Sequence, residues 1–190
     1  VCWTHLWPSA QAPTVAALED AARRLAQCGA AVRHADLPVG FEALSEVREV
    51  LNDFERARAM AHEWNTARDR LSPRLQRAIE RGLAMPRRRY VDAQRLAAGC
   101  RARLDSLFDG LDILVAPCVP GEAPLGLEDT GDPKFQGLWT TLHVPTISLP
   151  THRGPNALPV GIQLVGRPGE DERLLLAARW IAERLGLAGA

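Results

Sequence analysis

Metal binding and phosphate binding are the first chemistries to test against the residue types and their spacing. The five histidines show no HxxxH or HExxH pattern, and the four cysteines form no CxxC pair. Gly161 and Gly166 have the spacing of a phosphate-binding loop, but Arg167 and Pro168 follow instead of Lys and Ser or Thr. We therefore predict no metal site and interpret the histidines as ordinary surface or core residues: His5, His34, His62, His143 and His152.

Nucleophilic catalysis requires a nucleophile, a base within hydrogen-bond reach and a site that stabilises an oxyanion. None of the five serines lies in a GxSxG elbow or a glycine-rich turn. We expect a structural role for Ser148, which lies in an apolar stretch before Pro150. Cys118 follows a predicted buried strand, where open α/β sheets usually place ligands. A pocket-lining role and a catalytic role for this thiol both stay open, but no histidine can be assigned to activate it. The residues alone indicate a pocket without a catalytic group.

The composition is that of a globular protein and excludes several classes of partner. With 46% hydrophobic residues, 24% charged residues and a net charge of zero, the chain lacks the basic surplus of nucleic-acid binders. No apolar run approaches the ~18 residues that span a bilayer. The scattered cysteines are typical of reduced thiols. We predict a cytoplasmic protein that binds neither nucleic acid nor membrane.

Residues 1–38 are predicted to form a strand, a helix and a second strand. Val1 to Trp7 is rich in strand-forming residues, Pro13 to Gln27 has apolar residues at helical spacing, and Ala30 to Leu37 is again strand-like. This order predicts a sheet covered by helices. Because the chain begins inside the first predicted strand, we expect it to be a fragment.

Residues 39–110 are predicted to be helical. One apolar stripe runs from Leu44 to Ala61, a short helix follows near Ser72–Gly82, and a long helix after Pro86 carries apolar residues as far as Leu107. Charged residues fill the opposite faces, so we expect each helix to present one apolar side to a core.

From Leu111 onward the pattern changes to short strands and a long loop. Leu111 to Ala116 is a nearly continuous apolar run, typical of a buried strand. The Pro- and Gly-rich stretch from Pro117 to Pro159 is longer than most structureless loops, which suggests a function for it. The remaining predicted elements are two strands and a helix: Thr146–Leu149, Val160–Val165 and Asp171–Leu185.

Three spaced blocks of residues carry a family resemblance. They are DILVAP at 112–117, WTTLHVPTISLP at 139–150 and LPVGIQLVG at 158–166. In this order they resemble the amidase-signature family. Phe54–Ala57 and Tyr90–Ala93 also resemble helical segments of that family, so the resemblance covers nearly the whole chain.

The resemblance implies an α/β protein with a mixed β-sheet flanked by helices, here as a single domain over residues 1–190. It also implies hydrolysis of the carboxamide C–N bond of a small-molecule amide through an acyl-serine, without metal or organic cofactor. The family's two catalytic serines and its lysine lie in the amino-terminal half, around a Gly-Ser-Ser-Gly-Gly-Ser stretch. This chain has no two adjacent serines, and its only lysine, Lys134, does not match the catalytic position. We therefore predict a carboxy-terminal half that has no catalytic residue and is inactive alone.

Cys118, Trp139 and His143 are the candidate substrate-binding residues. The resemblance places the loop after Pro117 and the stretch 135–143 beside the acyl-binding funnel. For Trp139, a role in packing is an equal alternative. His143 stands where the family commonly has glycine, which argues against a close backbone approach there and suggests a contribution to selectivity.

Two other functions stay open on the sequence. A chain that kept the amidase fold but lost its chemistry would be a non-catalytic binding or assembly module. The second alternative is a fragment of the glutamine-hydrolysing subunit of a tRNA-dependent amidotransferase. The Trp139-Thr140 pair looks less like that branch, which usually has an asparagine in this region. We expect the surface that meets the missing half to be exposed, as a sheet edge or an apolar patch, and to drive aggregation or formation of a homodimer.

Overall fold

The computed structural model describes residues 1–187. Their contacts fall into two compact units. The first unit joins Val1–Glu42 to the residues from Arg103 onward, and the second is Ala43–Ala102. The single domain expected over residues 1–190 stays a prediction, and its last three residues, 188–190, lie outside the described residues.

Helices and short strands alternate along the chain. In chain order the helices are α1 (Ala12–Gln27), α2 (Leu44–Ala59), α3 (Ala61–Thr66), α4 (Pro73–Ala84), α5 (Arg87–Arg101), α6 (Leu104–Leu107), α7 (Lys134–Leu142) and α8 (Asp171–Arg184). The strands are β1 (Cys2–Trp3), β2 (Ala35–Asp36), β3 (Leu114–Pro117), β4 (Thr146–Arg153) and β5 (Pro159–Val165). Short 3₁₀ turns occur at Trp7–Ser9, Phe41–Ala43 and Arg68–Arg70. This confirms the predicted α/β class.

A three-stranded antiparallel sheet lies at the centre of the first unit. Its order is β3-β5-β4, so β5 is paired on both sides. Leu164 of β5 pairs with Val115 of β3 and with Ile147 of β4. Residues paired in this way point to the same face of the sheet, so these three form one apolar rung. β1 and β2 form a separate parallel pair.

Helices α1 and α8 cover the apolar face of this sheet. Each helix has apolar residues at helical spacing, and each buries that stripe against alternate residues of β5. Full burial of one such aliphatic side chain contributes ~1.5–3 kcal/mol. The core of the first unit therefore depends on three elements, whose buried residues include Leu18, Ala21, Leu25, Val160, Ile162, Leu164, Leu174, Ala178 and Ile181.

The two strands predicted in residues 1–38 are much shorter than expected. The first is limited to β1, because the chain turns into a 3₁₀ helix at Trp7–Ser9, with Pro8 in its first turn. The second is limited to β2, because a strand exists only where a neighbour pairs with it, and β1 offers two residues. Residues 30–34 therefore lie outside any strand.

The long helix predicted after Pro86 is interrupted. α5 ends at Arg101, and the single turn α6 follows. Arg103, between them, leaves helical geometry with φ −103° and ψ 2°. Its guanidinium donates to the carbonyl oxygen of Val39 and lies over the ring of Phe41. These contacts come from residues far away in sequence, which helical spacing does not reveal.

The predicted loop Pro117–Pro159 contains a helix that the sequence analysis missed. This helix, α7, is nine residues long, and the Asp132 carboxylate accepts a hydrogen bond from the Lys134 amide at its start (3.0 Å). β4 is also longer than predicted and continues past Pro150. An edge strand tolerates a proline, and a register shift between Pro150 and His152 accommodates it.

In the second unit, close packing of α2 against α4 requires glycine at position 82. A Cβ atom built on Gly82 would lie 1.9 Å from the carbonyl oxygen of Asp53 and 2.8 Å from the Cβ of Ala57. The buried Asp53 carboxylate accepts hydrogen bonds from Arg81, at 2.6 and 3.2 Å, and from Arg56 at 3.1 Å. The close approach therefore brings α4 near enough for a two-pronged arginine–carboxylate pair.

We expect Gly82→Ala to lower the free energy of unfolding by ~2 kcal/mol, because the added methyl group meets backbone atoms that cannot move aside. Urea denaturation followed by circular dichroism measures the change. Gly99→Ala is the matched control, since Gly99 lies in α5 with nothing within 4 Å of a built Cβ. There alanine should stabilise the helix by ~1 kcal/mol. Equal stability of the two variants would contradict the packing described.

Candidate functional site

Cys118 follows the end of β3 and is buried beside a serine of β4. The Sγ atom lies 2.6 Å from the hydroxyl oxygen of Ser148, and Gln136 of α7 donates to the same sulfur at 3.6 Å. The side chain is 7% exposed. Three separate elements thus bring a thiol, a hydroxyl and a carboxamide together. A serine expected to be structural is a direct neighbour of the predicted pocket thiol.

The sheet face around Ser148 is polar and half open. Ser148 pairs with Gln163 of β5, which also pairs with Ala116 of β3, so the three residues share the face opposite to the helix-covered one. Gln163 is 4% exposed, and its Oε1 atom accepts no hydrogen bond from residues 1–187. On β4, Thr146, Ser148 and Pro150 are exposed on this face. The face thus combines a buried polar centre with an accessible rim.

The loop after Cys118 is held by the start of α1. The Gln11 amide donates to the carbonyl oxygen of Pro120 (2.7 Å), and the Thr14 hydroxyl donates to that of Val119 (3.2 Å). These bonds join residues more than a hundred positions apart in sequence. They fix the direction in which the chain leaves β3 and therefore the position of the thiol.

Glu122 fastens the same loop to the turn between β4 and β5. Its carboxylate accepts hydrogen bonds from the Asn156 amide and side chain and from the Leu158 amide, at 2.9–3.1 Å. Desolvation opposes ionisation of Glu122, but the hydrogen bonds from Asn156, Leu158 and Gly154 outweigh it and lower the pKa of this carboxyl group. Ala157, between Asn156 and Leu158, adopts the left-handed conformation, at φ 61°. No local sequence pattern pointed to this contact.

The only lysine of the chain also contacts a serine. Lys134 Nζ donates to the Ser9 hydroxyl at 3.3 Å and forms a salt bridge with Asp132 Oδ2 at 2.9 Å. The Nζ atom therefore lies between a serine hydroxyl and a carboxylate. These contacts hold α7 against the 3₁₀ turn at Trp7–Ser9.

Trp139 lies on the buried side of α7. It is 1% exposed and belongs to the apolar core. This position agrees with the packing alternative, and direct contact with a substrate stays a prediction.

His143 ends α7 in the left-handed conformation, with φ 58° and ψ 36°. Its amide donates to the carbonyl oxygen of Thr140, and the Val144 amide donates to that of Trp139. This is a Schellman motif, whose left-handed position favours glycine. Helix termination therefore favours glycine at position 143, where the side chain of the histidine is exposed.

The other thiols differ in accessibility. Cys28 is exposed, whereas Cys2 and Cys100 are buried. Burial raises the pKa of Cys2 to about 12, so this thiol is no nucleophile at neutral pH.

Residues 1–187 contain no group of three His, Cys, Asp or Glu side chains arranged to bind a metal ion. In the same part of the chain, no helix is both long and apolar enough to cross a membrane.

Comparison with known proteins places these features in a family. Residues 1–175 match the sequence profile of the Amidase family. The chain belongs to the amidase family. Aligned over 193 positions, it is 28% identical to 2-amino-5-chloromuconic acid deaminase of Comamonas testosteroni, with 96% of this chain and 42% of that protein covered.

Two further similarities concern a shorter segment and the fold. The chain is 34% identical over 105 residues to a glutamyl-tRNA(Gln) amidotransferase subunit from Anaeromyxobacter dehalogenans (strain 2CP-C), covering 51% of this chain and 21% of that protein. It superposes on a crystal structure of an amidase with a TM-score of 0.84 and 29% identity, covering 97% of this chain and 46% of the other. The chain therefore spans less than half the length of these amidase-family proteins.

We expect His143→Gly to raise the free energy of unfolding by ~1 kcal/mol, because glycine adopts the left-handed conformation without steric cost. His143→Ala is the matched control and should not stabilise the chain, since alanine keeps the Cβ atom. Thermal denaturation of the three proteins measures the order. If alanine stabilised as much as glycine, the histidine side chain and not the backbone would be the source of strain.

Glu122→Gln should loosen the loop in a pH-dependent way. A carboxyl group with a lowered pKa in the folded state stabilises the fold above its ordinary pKa and loses that effect as the pH falls through the folded value. The difference in stability between wild type and Glu122→Gln should therefore be full at neutral pH and vanish in acid. Hydrogen exchange of the Asn156 and Leu158 amides should be several-fold faster in the variant at pH 7.

Glu128→Gln is the matched control for this experiment, because Glu128 lies exposed on the same loop and makes no described contact. It should change neither the exchange of the two amides nor its pH dependence. If Glu128→Gln accelerated exchange of the two amides as much as Glu122→Gln does, the role assigned to the Glu122 hydrogen bonds would be wrong.

Proposed function

We propose that these residues form one wall of the substrate pocket of an amidase-type hydrolase, and that they do not hydrolyse amides by themselves. The hydrolase would cleave the carboxamide C–N bond of a small molecule through an acyl-serine, with both catalytic serines and the lysine base outside this chain. The observation that carries the proposal is the residue content of the site: the chain has no two adjacent serines, and its only lysine, Lys134, has no described contact with Ser148 or Cys118. A general base must lie within hydrogen-bond reach of the proton that it takes.

Among residues 1–187, the described contacts of the hydroxyl and thiol groups of the site include no base. Ser148 and Cys118 contact each other, and the third partner, Gln136, is a carboxamide that cannot act as a base. These groups can donate and accept hydrogen bonds, however, and Ser148 stands at the exposed rim of the sheet face. They suit contact with a polar amide group better than covalent chemistry.

The pocket wall is supported by contacts that do not involve the proposed substrate. The α1 start fixes the first residues of the loop, and Glu122 fixes the middle. A pocket wall benefits from such support, because ordering a freely moving loop on binding costs conformational entropy and lowers the affinity. The location in the cytoplasm and the homodimer stay predictions.

A second candidate is the glutamine-hydrolysing subunit of an amidotransferase. It is favoured by the 34% identity to the glutamyl-tRNA(Gln) amidotransferase subunit, which exceeds the 28% found with the deaminase. Against it, that match covers 51% of the chain and the match with the deaminase covers 96%. The broader match makes a small-molecule amide hydrolase the better proposal, with a non-catalytic binding module as the remaining alternative.

The purified chain should neither hydrolyse primary amides and anilides nor react with a fluorophosphonate probe, because it has no two adjacent serines and its only lysine has no described contact with Ser148 or Cys118. Joined to the amino-terminal part of the Comamonas testosteroni deaminase, it should support deamination, and Cys118→Ala should raise KM several-fold. Cys28→Ala is the matched control, since this exposed thiol lies at the end of α1.

Labelling of the chain alone that Ser9→Ala or Ser148→Ala abolishes would overturn the proposal of inactivity. If Cys118→Ala left the KM of the chimera unchanged, the proposal that Cys118 belongs to the pocket wall would be wrong.

A further inference from the structure

A cleft of about 530 Å³ lies in the first unit, and Cys118 is not among the residues that line it. Residues 29–33 and 110–115 line it, together with α1 and α8, and Val1 stands among its lining residues. Much of the lining is apolar and includes Leu25, Ile113, Val115, Leu176, Trp180 and Ile181.

Each of the two chain segments that line the cleft overlaps a predicted strand that is only partly paired. Of the predicted strand Ala30–Leu37, only Ala35 and Asp36 are in a ladder. Of the predicted strand Leu111–Ala116, pairing begins at Leu114, so the lining residues Leu114 and Val115 pair with β5 on one side. Residues 30–32 and 111–113 are in no ladder among residues 1–187.

The register of β1 and β2 shows where the missing neighbour would run. The Val1 amino group donates to the carbonyl oxygen of Arg33 (2.5 Å), and the Ala35 amide donates to that of Val1 (3.0 Å). A parallel ladder repeats this pattern every two residues. The next groups along the ladder are the Arg33 amide and the Ala31 carbonyl oxygen, and neither has a hydrogen-bond partner among residues 1–187.

We propose that this cleft is a strand-binding slot, which takes an extended apolar segment from the part of an amidase-family protein that these 190 residues do not span. The segment would continue the line of β1, parallel to residues 30–33. This inference goes beyond the proposed function, because it concerns assembly of the fold and requires no hydrolysis.

An extended peptide fits the slot better than a small amphiphile. The unpaired amide and carbonyl groups are backbone groups at ladder spacing, which another backbone satisfies two residues at a time. Five residues of strand span ~17 Å at 3.3–3.4 Å per residue, matching the five residues of the 29–33 wall. The apolar lining would bury the side chains of such a segment.

The segment of the amidase family outside this chain is the occupant that the comparisons support. The chain covers 42% of the deaminase and 46% of the superposed amidase. More than half of the family's length is therefore available to supply a strand.

The test adds Val-Thr-Val-Thr-Val to the amino end of the chain and measures amide hydrogen exchange residue by residue. By the parallel register, the second added residue counted back from Val1 should accept from the Arg33 amide, and the fourth should accept from the Ala31 amide. We expect exchange of these two amides to slow at least tenfold. The Val32 amide points away from the new ladder and should change little, so it is an internal control.

Two further extensions make the result decisive. Gly-Ser-Gly-Ser-Gly has the same length but low strand propensity and no apolar side chain, and it should protect neither amide. Val-Thr-Val-Pro-Val places proline at the second position from Val1, which removes the amide that should donate to Ala31. Its protection of Arg33 and Ala31 should be lost. The proposed strand-binding slot would be wrong if all three extensions slowed exchange of the Arg33 and Ala31 amides equally. It would also be wrong if Val-Thr-Val-Thr-Val did not slow their exchange.

Discussion

The first unit depends on the pairing of β5 on both edges while its apolar face is covered by α1 and α8. Ile162 and Leu164 are fully buried, and the register places them beside Leu149 and Ile147 of β4. Because side chains alternate along a strand, this burial also determines that Gly161, Gln163 and Val165 point to the other face. The face that carries the candidate site is therefore set by the core on the opposite side. A slip of one residue would exchange the two faces.

The same sheet register places a buried polar group on the face that carries the candidate site. Gln163 is buried, and no group among residues 1–187 donates a hydrogen bond to its carboxamide oxygen, a situation that costs ~1–3 kcal/mol in proteins generally. The apolar rungs next to it offset that cost, since the strand cannot turn Gln163 outward without exposing Ile162 and Leu164. Ser148 and Cys118 lie beside it and satisfy each other. The site is thus polar because the register of the sheet places Ser148 and Gln163 on this face. Its shape is determined by the packing of the sheet.

Much of this fold can be predicted from local sequence, and the reason lies in periodicity. α1, α8 and β5 were predicted within a residue or two of their observed bounds, because each has one apolar face with a clear repeat. α7 was missed, since Gly137 and the preceding Pro and Gly residues hide its repeat in a loop-like composition. The family resemblance predicted Cys118 as a site residue, but its contact with Ser148 and the Glu122 hydrogen bonds join residues 30 to 36 positions apart. Helical or strand periodicity in the sequence does not reveal contacts between residues so far apart.

The fold of the first unit and the chemistry of the family depend on different residues. Folding of the first unit needs apolar stripes on α1, β5 and α8, and these are all within the chain. General-base catalysis needs a base within hydrogen-bond reach of the nucleophile. The described contacts of Lys134 Nζ are with Ser9 and Asp132, and the Asp132 carboxylate also accepts a hydrogen bond from the Lys134 amide at the start of α7. These contacts join α7 to the loop before it and to the 3₁₀ turn at Trp7–Ser9, so the only lysine of the chain contributes to the fold of the first unit.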